Sequence, residues 1–580
     1  MNIRGSVCPR PRFVGRFTFL VWFALLVGSC SSAQTPPLVE RLSPETVFYV
    51  EWRGASSLAA AEQKNHLLEL LHDPAVAPLL AGLANQIQKS SPTGRSPMAA
   101  MLLPDLVSLL DNAAVFGLAA NPDTRKAASA GKPISSFATF LVYDATGKTD
   151  LIHKWDALSK VGSQTPIEVT KYDFAGTSVE VRTTSAGSSY SAQAGKYFVA
   201  SDQRKVIEEL ITRFSSIGTP ASSVAQLPEF SQIRKYIGED AALELFGRIP
   251  DLSQWSPAST ANAKSAQQFV KNIHLEKVHV FGAGLNLDGE AAHIGGAVLG
   301  DASPGGPFDL AGASGSGFQT LPAIQTGPAF SISRINLPAA YQLLMGAIAG
   351  NMTPQQAASM TTMEGAAQAF LGMPIGDALR LFTGEIGSMT LYSDEGKAEQ
   401  LFVLSIQKPD SVLRVVRALV GTLIVSEDSS GPTTYLDLAY PYMDPQTHQR
   451  RRKFYYLAVT PQMLLVAPRK AMLRQAIQRV DARAADPPPA GVFLNPEYAQ
   501  LRSHLPEKLS GIGAADIAAI PWDKLVASLA AQAAQSAQPS NRQPPDLSWL
   551  KLAVISRYLH ISVSGWWKDS GGVYFDSYVQ

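Results

Sequence analysis

Two histidines occupy matching positions near the ends of the two halves of the sequence. His279 and His560 each stand between apolar neighbours in a predicted strand. Because side chains alternate across a strand, both histidines face away from its apolar side. They form a paired site if both strands share a face, and otherwise they are polar residues kept on solvated faces. The nine histidines show no metal-ligand spacing, so the sequence predicts no metal site.

The densest basic cluster consists of Arg450, Arg451, Arg452 and Lys453. It separates two apolar segments, 434–438 and 454–459, which predicts the tip of a β-hairpin. A charged hairpin tip is usually only solvated, whereas a functional one would contact anionic lipid headgroups or an acidic partner. The first half has the serine-rich segment 185–189 in this place, so such a role is expected in the second half alone.

Motifs of nucleotide-binding and hydrolytic enzymes are incomplete. The segment 144–149 stands where a phosphate-binding loop would lie, but Val142 replaces its first glycine. Gly282 and Gly284 lack the third glycine of a dinucleotide fingerprint, and the sequence has no Gly-x-Ser-x-Gly elbow. A dispersed Ser/His/Asp or carboxylate site stays open, because triad partners are distant in sequence. The sequence predicts no cofactor.

The first 33 residues have the pattern of a signal peptide. Four arginines and no acidic residue precede the apolar run 17–27, which is too short to span a bilayer. The following Val27–Cys30 resembles the lipobox of bacterial lipoproteins, in which Cys30 would carry the lipid. The alternative is ordinary cleavage after Ala33, because Ser31 and Ala33 satisfy the small-x-small rule.

Export changes the charge and the cysteine content. The whole chain has 49 basic and 48 acidic residues, and loss of the four arginines leaves a net charge of −3. No basic excess remains to bind nucleic acid. Cys8 leaves with the signal, so neither a disulfide scaffold nor a multi-cysteine metal site is expected. No later apolar run reaches about 18 residues, which predicts no transmembrane helix. The expected location is the bacterial periplasm or outer membrane.

An internal repeat organises the remaining sequence. Residues 196–214 align without gaps to residues 462–480, and both segments combine a short apolar strand with an amphipathic helix. Pro228–Arg234 likewise matches Pro496–Arg502, and the closing hairpins 278–299 and 559–579 also agree. Several such blocks in one order predict a tandem duplication.

The repeat predicts the domain organisation. We expect one domain at 40–300 and a second at 323–580, joined by a Gly/Ser/Pro-rich linker at 301–322. Hairpins dominate the predicted strand pairing. Each domain is therefore expected to be α+β, with an antiparallel sheet covered by helices.

The opening segment Leu42–Glu51 resembles exported bacterial proteins grouped as a domain of unknown function, 3352 type. The stretch Phe382–Ile386 and the strand–turn–helix at 197–214 resemble the same group. Ser43 and Glu45 depart from its opening motif. The resemblance implies export and architecture, and the group supplies no chemistry to carry over.

These observations favour a non-enzymatic protein of the cell envelope. The leading hypothesis is a lipid-anchored, two-domain binding or scaffolding module whose partner is another envelope protein. A carrier of an apolar or amphiphilic ligand and a hydrolase with a dispersed catalytic site are the alternatives.

Overall fold

The computed structural model describes most of the chain beyond the predicted signal peptide. The described residues are 37–58, 64–76, 109–120, 137–150, 152, 167–184, 187–215, 220, 222–249, 271–301, 305–349, 352, 354–443, 449–481, 491–537 and 552–580. We call residues 37–301 the first half and residues 305–580 the second half. Cys30 and the whole predicted signal peptide lie outside the described residues.

Twenty strands form one antiparallel sheet. The first half contributes β1 (Thr46–Trp52), β2 (Ala114–Ala120), β3 (Phe137–Asp144), β4 (Glu168–Phe174), β5 (Thr177–Thr184), β6 (Gly187–Ala194), β7 (Tyr197–Ser201), β8 (Leu243–Arg248), β9 (Val278–Asp288) and β10 (Ala291–Gly300). The second half contributes β11 (Ala329–Arg334), β12 (Phe382–Tyr392), β13 (Ala398–Ile406), β14 (Ile424–Ser430), β15 (Thr433–Met443), β16 (Arg450–Val459), β17 (Met463–Ala467), β18 (Gly511–Asp516), β19 (Ile561–Asp569) and β20 (Gly572–Val579).

The described residues also form eleven α-helices. They are α1 (His66–His72), α2 (Arg204–Ser215), α3 (Pro228–Ile237), α4 (Leu321–Ile324), α5 (Leu337–Ala349), α6 (Pro354–Leu371), α7 (Ile375–Leu379), α8 (Pro409–Val420), α9 (Lys470–Asp481), α10 (Pro496–Ser503) and α11 (Trp522–Ala537). The predicted α+β class with an antiparallel sheet is confirmed.

Both halves pair their ten strands in the same way. In the first half the order across the sheet is β4-β5-β6-β7-β3-β2-β1-β8-β9-β10. The second half repeats this order with β14-β15-β16-β17-β13-β12-β11-β18-β19-β20. Each strand of the first half therefore has a counterpart with the same neighbours in the second.

The two halves share one sheet because their last strands pair with each other. Strands β10 and β20 run antiparallel over eight residue pairs, from Ala292 opposite Val579 to Leu299 opposite Gly572. A separate sheet in each domain was expected. Each closing hairpin would then expose an unpaired edge of backbone N–H and C=O groups, and the β10–β20 pairing satisfies both edges at once.

Amphipathic helices cover the sheet of each half. Helix α2 buries the stripe Val206, Ile207, Leu210, Ile211 and Phe214 in the core of the first half. Helix α9 buries the matching stripe of the second half. Helices α3 and α10 both begin at a proline followed by glutamate, which suits the free N–H groups and the dipole of a helix start. Helix α8 packs on the opposite sheet face through Val412, Val415 and Val416.

Residues 305–322 of the predicted linker pack against the rest of the second half, and Asp301 donates its backbone N–H to the oxygen of Lys277 in the first half. Phe308 is buried, and Ser314 bonds to Ser510 and to the backbone of Lys568. Thr320 is fully buried and donates its hydroxyl and its backbone N–H to Glu385. A composition poor in large apolar residues led us to expect no fixed contacts here, but the hydroxyl groups find buried partners. The predicted domain boundaries stay a prediction.

The seam between β10 and β20 depends on the absence of a side chain at Gly296. A Cβ atom at Gly296 would lie 2.5 Å from the backbone oxygen of Gly282 and 2.5 Å from the Phe575 ring. We expect Gly296→Ala to lower the free energy of unfolding by about 1–3 kcal/mol, because backbone of the neighbouring strand cannot move aside cheaply. Urea unfolding of the mature chain measures the change.

A matched glycine in a helix serves as the control. Gly346 lies within α5, and its nearest neighbour to an added Cβ is a backbone oxygen at 3.7 Å. Gly346→Ala should raise stability by about 0.5–1 kcal/mol, because alanine has the higher helix propensity. Equal stability of the two variants would contradict the assignment of the seam as a close-packed joint.

Candidate functional site

The structure does not bring His279 and His560 together. His279 is exposed near the start of β9, and His560 directly precedes β19. Across the order β9-β10-β20-β19, the row beside His279 leads to Asp569, the far end of β19. The antiparallel β10–β20 pairing therefore places the two histidines at opposite ends of these four strands. The imidazole of His560 instead contacts that of His66, with ring centroids 6.1 Å apart.

A different histidine lies at the seam between the halves. His293 on β10 lies 3.0 Å from the carboxylate of Asp576 on β20, and its ring stacks on Tyr578 at 4.4 Å. His504 contacts the other side of this cluster, 5.2 Å from the Tyr578 ring. Burial raises the pKa of Tyr578 to about 12, so its hydroxyl stays protonated near neutral pH. These groups are distant in sequence, so periodicity could not reveal them.

The seam has a related arrangement on its other side. The Tyr236 ring at the end of α3 packs against Tyr574 of β20, with centroids 4.6 Å apart. Tyr236 is equivalent to His504 in the matching helices, and Tyr574 is equivalent to His293 in the matching hairpins. Because packed aromatic rings fill both sides of the seam, we interpret the His293–Asp576 pair as a contact that fixes the halves together.

Two buried glutamates form the most perturbed titratable group in the first half. Glu51 on β1 is the direct cross-strand partner of Glu244 on β8. Glu244 accepts hydrogen bonds from the Tyr49 hydroxyl and from Arg234. Burial first, and then the charge of Glu244, raise the pKa of Glu51 to about 8. Burial also raises the pKa of Glu244.

The contacts of Glu51 indicate a structural role. Its carboxyl oxygens accept the backbone N–H groups of Leu38 and Val39, at 2.6 and 2.9 Å, where a short 3₁₀ helix starts. In the second half Glu385 accepts the N–H of Thr320 at 2.7 Å, directly before α4. A buried carboxylate thus caps the element before the first strand in both halves, although different strands supply it.

A cleft of about 1010 Å3 lies between residues 309–315 and the rest of the second half. Arg380 and Lys568 line it beside the apolar side chains of Leu337 and Phe382. Lys568 donates to the backbone oxygen of Phe308 at 2.6 Å, and Arg380 donates to Asp377 at 2.6 Å. Both cations therefore already have protein partners, and the cleft offers a mixed polar and apolar wall.

The basic cluster lies within a strand and not in the hairpin loop. Residues 450–453 are the first four residues of β16, and they pair with residues 440–443 of β15. Strand β15 continues to Met443 and β16 begins at Arg450, so the strands are longer than the apolar pattern predicted. Backbone pairing extends them because every residue of the cluster finds a cross-strand partner. We call residues 440–443 and 450–453 the hairpin extension.

Several large apolar side chains are exposed on helices of the second half. Met363 and Phe370 of α6 are 72% and 61% exposed. Leu344 of α5 and Leu419 of α8 are also exposed, and α6 contacts α8. We call these four residues the apolar helical surface. Large exposed apolar side chains in soluble proteins often mark an interaction site when they cluster.

The comparisons with known proteins add no relative. No protein-family model, no curated protein and no solved structure matches this chain. The resemblance to the 3352-type exported proteins therefore stays a prediction.

Two searches concern only the described residues. None of their helices is long and apolar enough to cross a membrane. Within the same residues, no group of three or more His, Cys, Asp or Glu side chains is arranged to hold a metal ion.

The Glu51–Glu244 pair predicts a pH dependence of stability. The folded-state pKa of Glu51 is raised from 4.5 to about 8, so its stabilising contribution is complete below about pH 4.5 and is lost as the pH rises toward 8. Glu51→Gln should therefore weaken the fall in the free energy of unfolding between pH 5 and pH 8, because glutamine stays neutral. Urea titrations across this range measure it.

Glu507→Gln is the matched control for this prediction, because Glu507 is exposed. It should keep the wild-type fall in stability. An unchanged slope in Glu51→Gln would show that the buried carboxyl does not titrate in this range.

Proposed function

We propose that this protein is an exported, lipid-anchored and non-enzymatic binding or scaffolding protein of the cell envelope. The observation that carries the binding role is the apolar helical surface on α5, α6 and α8. The perturbed carboxyls lie in the core and cap backbone groups, and His293 stacks against an aromatic ring. These contacts favour structural roles for the most noticeable polar groups over a hydrolase.

The anchor rests on the sequence around Cys30. A basic start, an apolar run and Val27-Gly28-Ser29-Cys30 together are typical of bacterial lipoproteins. Lipid on the first mature residue would hold the chain at a membrane of the envelope, in the periplasm. One lipid-modified cysteine also accounts for the retention of a single cysteine in the mature chain.

The proposal includes a tandem duplication as the origin of the two halves. Its support is the recurrence of nine pairings in the same arrangement, together with the gapless alignment of 196–214 to 462–480. Strands β7 and β17 start at Tyr197 and Met463, which are equivalent in that alignment. Two halves of this kind give the protein a long, continuous platform.

The cleft beside residues 309–315 favours a second candidate function. Its volume of about 1010 Å3 and its apolar walls near Arg380 suit an amphiphile with an anionic head. Native mass spectrometry of protein purified from envelopes tests this carrier role. A retained amphiphile that is lost in Leu337→Trp would support it, and a ligand-free mass for the wild type would contradict it.

Mass spectrometry of the mature N-terminus tests the anchor. We expect a mature chain that begins at diacylated Cys30 and sediments with membranes. Cys30→Ser should release the chain from the membrane fraction, and Cys8→Ser should not, because Cys8 lies in the removed segment. A mature chain that begins at Gln34 without lipid would contradict the anchor.

Cross-linking in envelope extracts tests the binding role. The double variant Met363→Ser/Phe370→Ser should lose a protein partner that the wild type cross-links, because the exposed contact area is removed. Leu494→Ser, which changes an exposed apolar residue beside α10, is the control and should keep the partner. Recovery of the same partner with the double variant would exclude the apolar helical surface as the binding site.

A further inference from the structure

The hairpin extension projects beyond the rest of the sheet. The pairing of β14 to β15 ends at Leu438, and the pairing of β17 to β16 ends at Tyr456. Residues 440–443 and 450–453 therefore pair only with each other. At about 3.3 Å per residue, the four residues on each strand of the extension reach about 13 Å past the neighbouring strands.

The equivalent hairpin of the first half has no such extension. The registers of the repeated pairings place Thr184 and Gly187 where the second half has Tyr440 and Lys453. In the first half β5 ends at Thr184 and β6 starts at Gly187, so only two residues separate the strands in the sequence. The second half instead continues for three more residues on each strand. The first half builds the same sheet without these residues, so the extension is not needed to form the sheet.

The composition of the extension combines positive charge with exposed apolar groups. It contains four consecutive basic residues, and Asp444 is the sole acidic residue between Leu438 and Tyr455 in the sequence. Tyr440 and Met443 are 53% and 54% exposed, and Tyr442 is exposed as well. The described acid nearest along β15, Asp437, is bound by Lys470.

Both faces of the extension carry the same mixture. Arg450 and Arg452 share one face with Met443, because cross-strand partners lie on the same side of a ribbon. Arg451 and Lys453 share the other face with Tyr442 and Tyr440. Basic and apolar side chains therefore face a partner whichever side of the ribbon meets it.

We propose that the hairpin extension is a membrane-docking tip whose basic, aromatic and apolar side chains bind the headgroup layer of an anionic phospholipid surface. Lys and Arg side chains close to an anionic lipid surface are attracted to it. Tyrosine side chains favour the interface between water and hydrocarbon, where the ring is buried and the hydroxyl stays hydrated. Met443, which is 54% exposed, supplies an apolar contact.

The net charge of the mature chain and the exposed apolar side chains of the extension favour lipid over the other anionic partners. A nucleic acid is disfavoured by the net charge of −3 on the mature chain, which would repel a polyanion away from the tip. An acidic protein would pair the cations but would leave the exposed Tyr442 and Met443 without an apolar environment. A phospholipid headgroup layer satisfies both kinds of side chain.

The tip adds an attachment point far from the N-terminus. Strands β1 and β16 are separated by eleven steps across the sheet, or about 50 Å along it at about 4.8 Å per strand. Together with the proposed lipid anchor, the tip would hold both halves of the platform against one membrane. Lipid binding by the tip itself does not depend on that anchor.

Vesicle co-sedimentation of the unlipidated mature chain, beginning at Gln34, tests the proposal without the anchor. We expect binding to vesicles of phosphatidylcholine with 30% phosphatidylglycerol, and at least tenfold weaker binding to pure phosphatidylcholine. Raising the salt concentration from about 50 to about 300 mM should weaken the binding, because screening shortens the range of the charges.

Two variants separate the tip from the rest of the protein. Replacing residues 441–452 by Ser-Ala copies the short hairpin of the first half and should abolish binding while urea stability stays unchanged. Arg450→Gln/Arg452→Gln keeps the strands and should lower the affinity at least tenfold. The control Lys171→Gln/Lys235→Gln removes two exposed cations of the first half and should bind like the wild type.

Three outcomes would overturn the proposal. They are no binding of the wild type to the anionic vesicles, equal binding to both kinds of vesicle, and unchanged binding by the short-hairpin variant. Binding to an acidic protein in the absence of vesicle binding would assign the tip to a protein partner instead. The location of the mature protein in cells bears on the lipid anchor alone, so the two proposals fail independently.

Discussion

The pairing of β10 with β20 is the interaction on which the rest of the architecture depends. Each half ends in a hairpin, and the outer strand of each hairpin would otherwise expose a row of unsatisfied N–H and C=O groups. Eight residue pairs between the two strands satisfy these groups and turn two sheets of ten strands into one of twenty. The close approach requires Gly296 opposite Phe575, because no Cβ atom fits there.

The direction of this pairing decides which residues meet. Antiparallel strands reverse the second half relative to the first, so matching positions in the two closing hairpins lie at opposite ends of the joint. His279 and His560 are separated for this reason. The same reversal brings His293 beside Asp576 and Tyr578, and Tyr236 beside Tyr574. The side chains at the seam thus come from both halves and hold them in register.

Within each half, a buried carboxylate orders the chain before the first strand. Leu38 and Val39 present free N–H groups at a buried helix start, and such groups need an acceptor. Glu51 on β1 supplies it in the first half, and Glu385 on β12 supplies it in the second, although β12 is not the counterpart of β1. Both halves therefore use a buried carboxylate as the acceptor, but the carboxylate comes from a different position in each half. The cost of burying the first pair appears as the raised pKa of Glu51.

The sequence by itself determined the local elements and their repeated order. The amphipathic stripes of α2 and α9 and the closing hairpins could be predicted, because their periodicity reflects which side chains must leave water. The tertiary structure alone decided that the halves share a sheet, that residues 305–322 pack against the rest of the second half, and that residues 450–453 project on a ribbon. Those features depend on backbone pairing and buried hydrogen bonds between distant segments, which leave no periodic trace in the order of residue types.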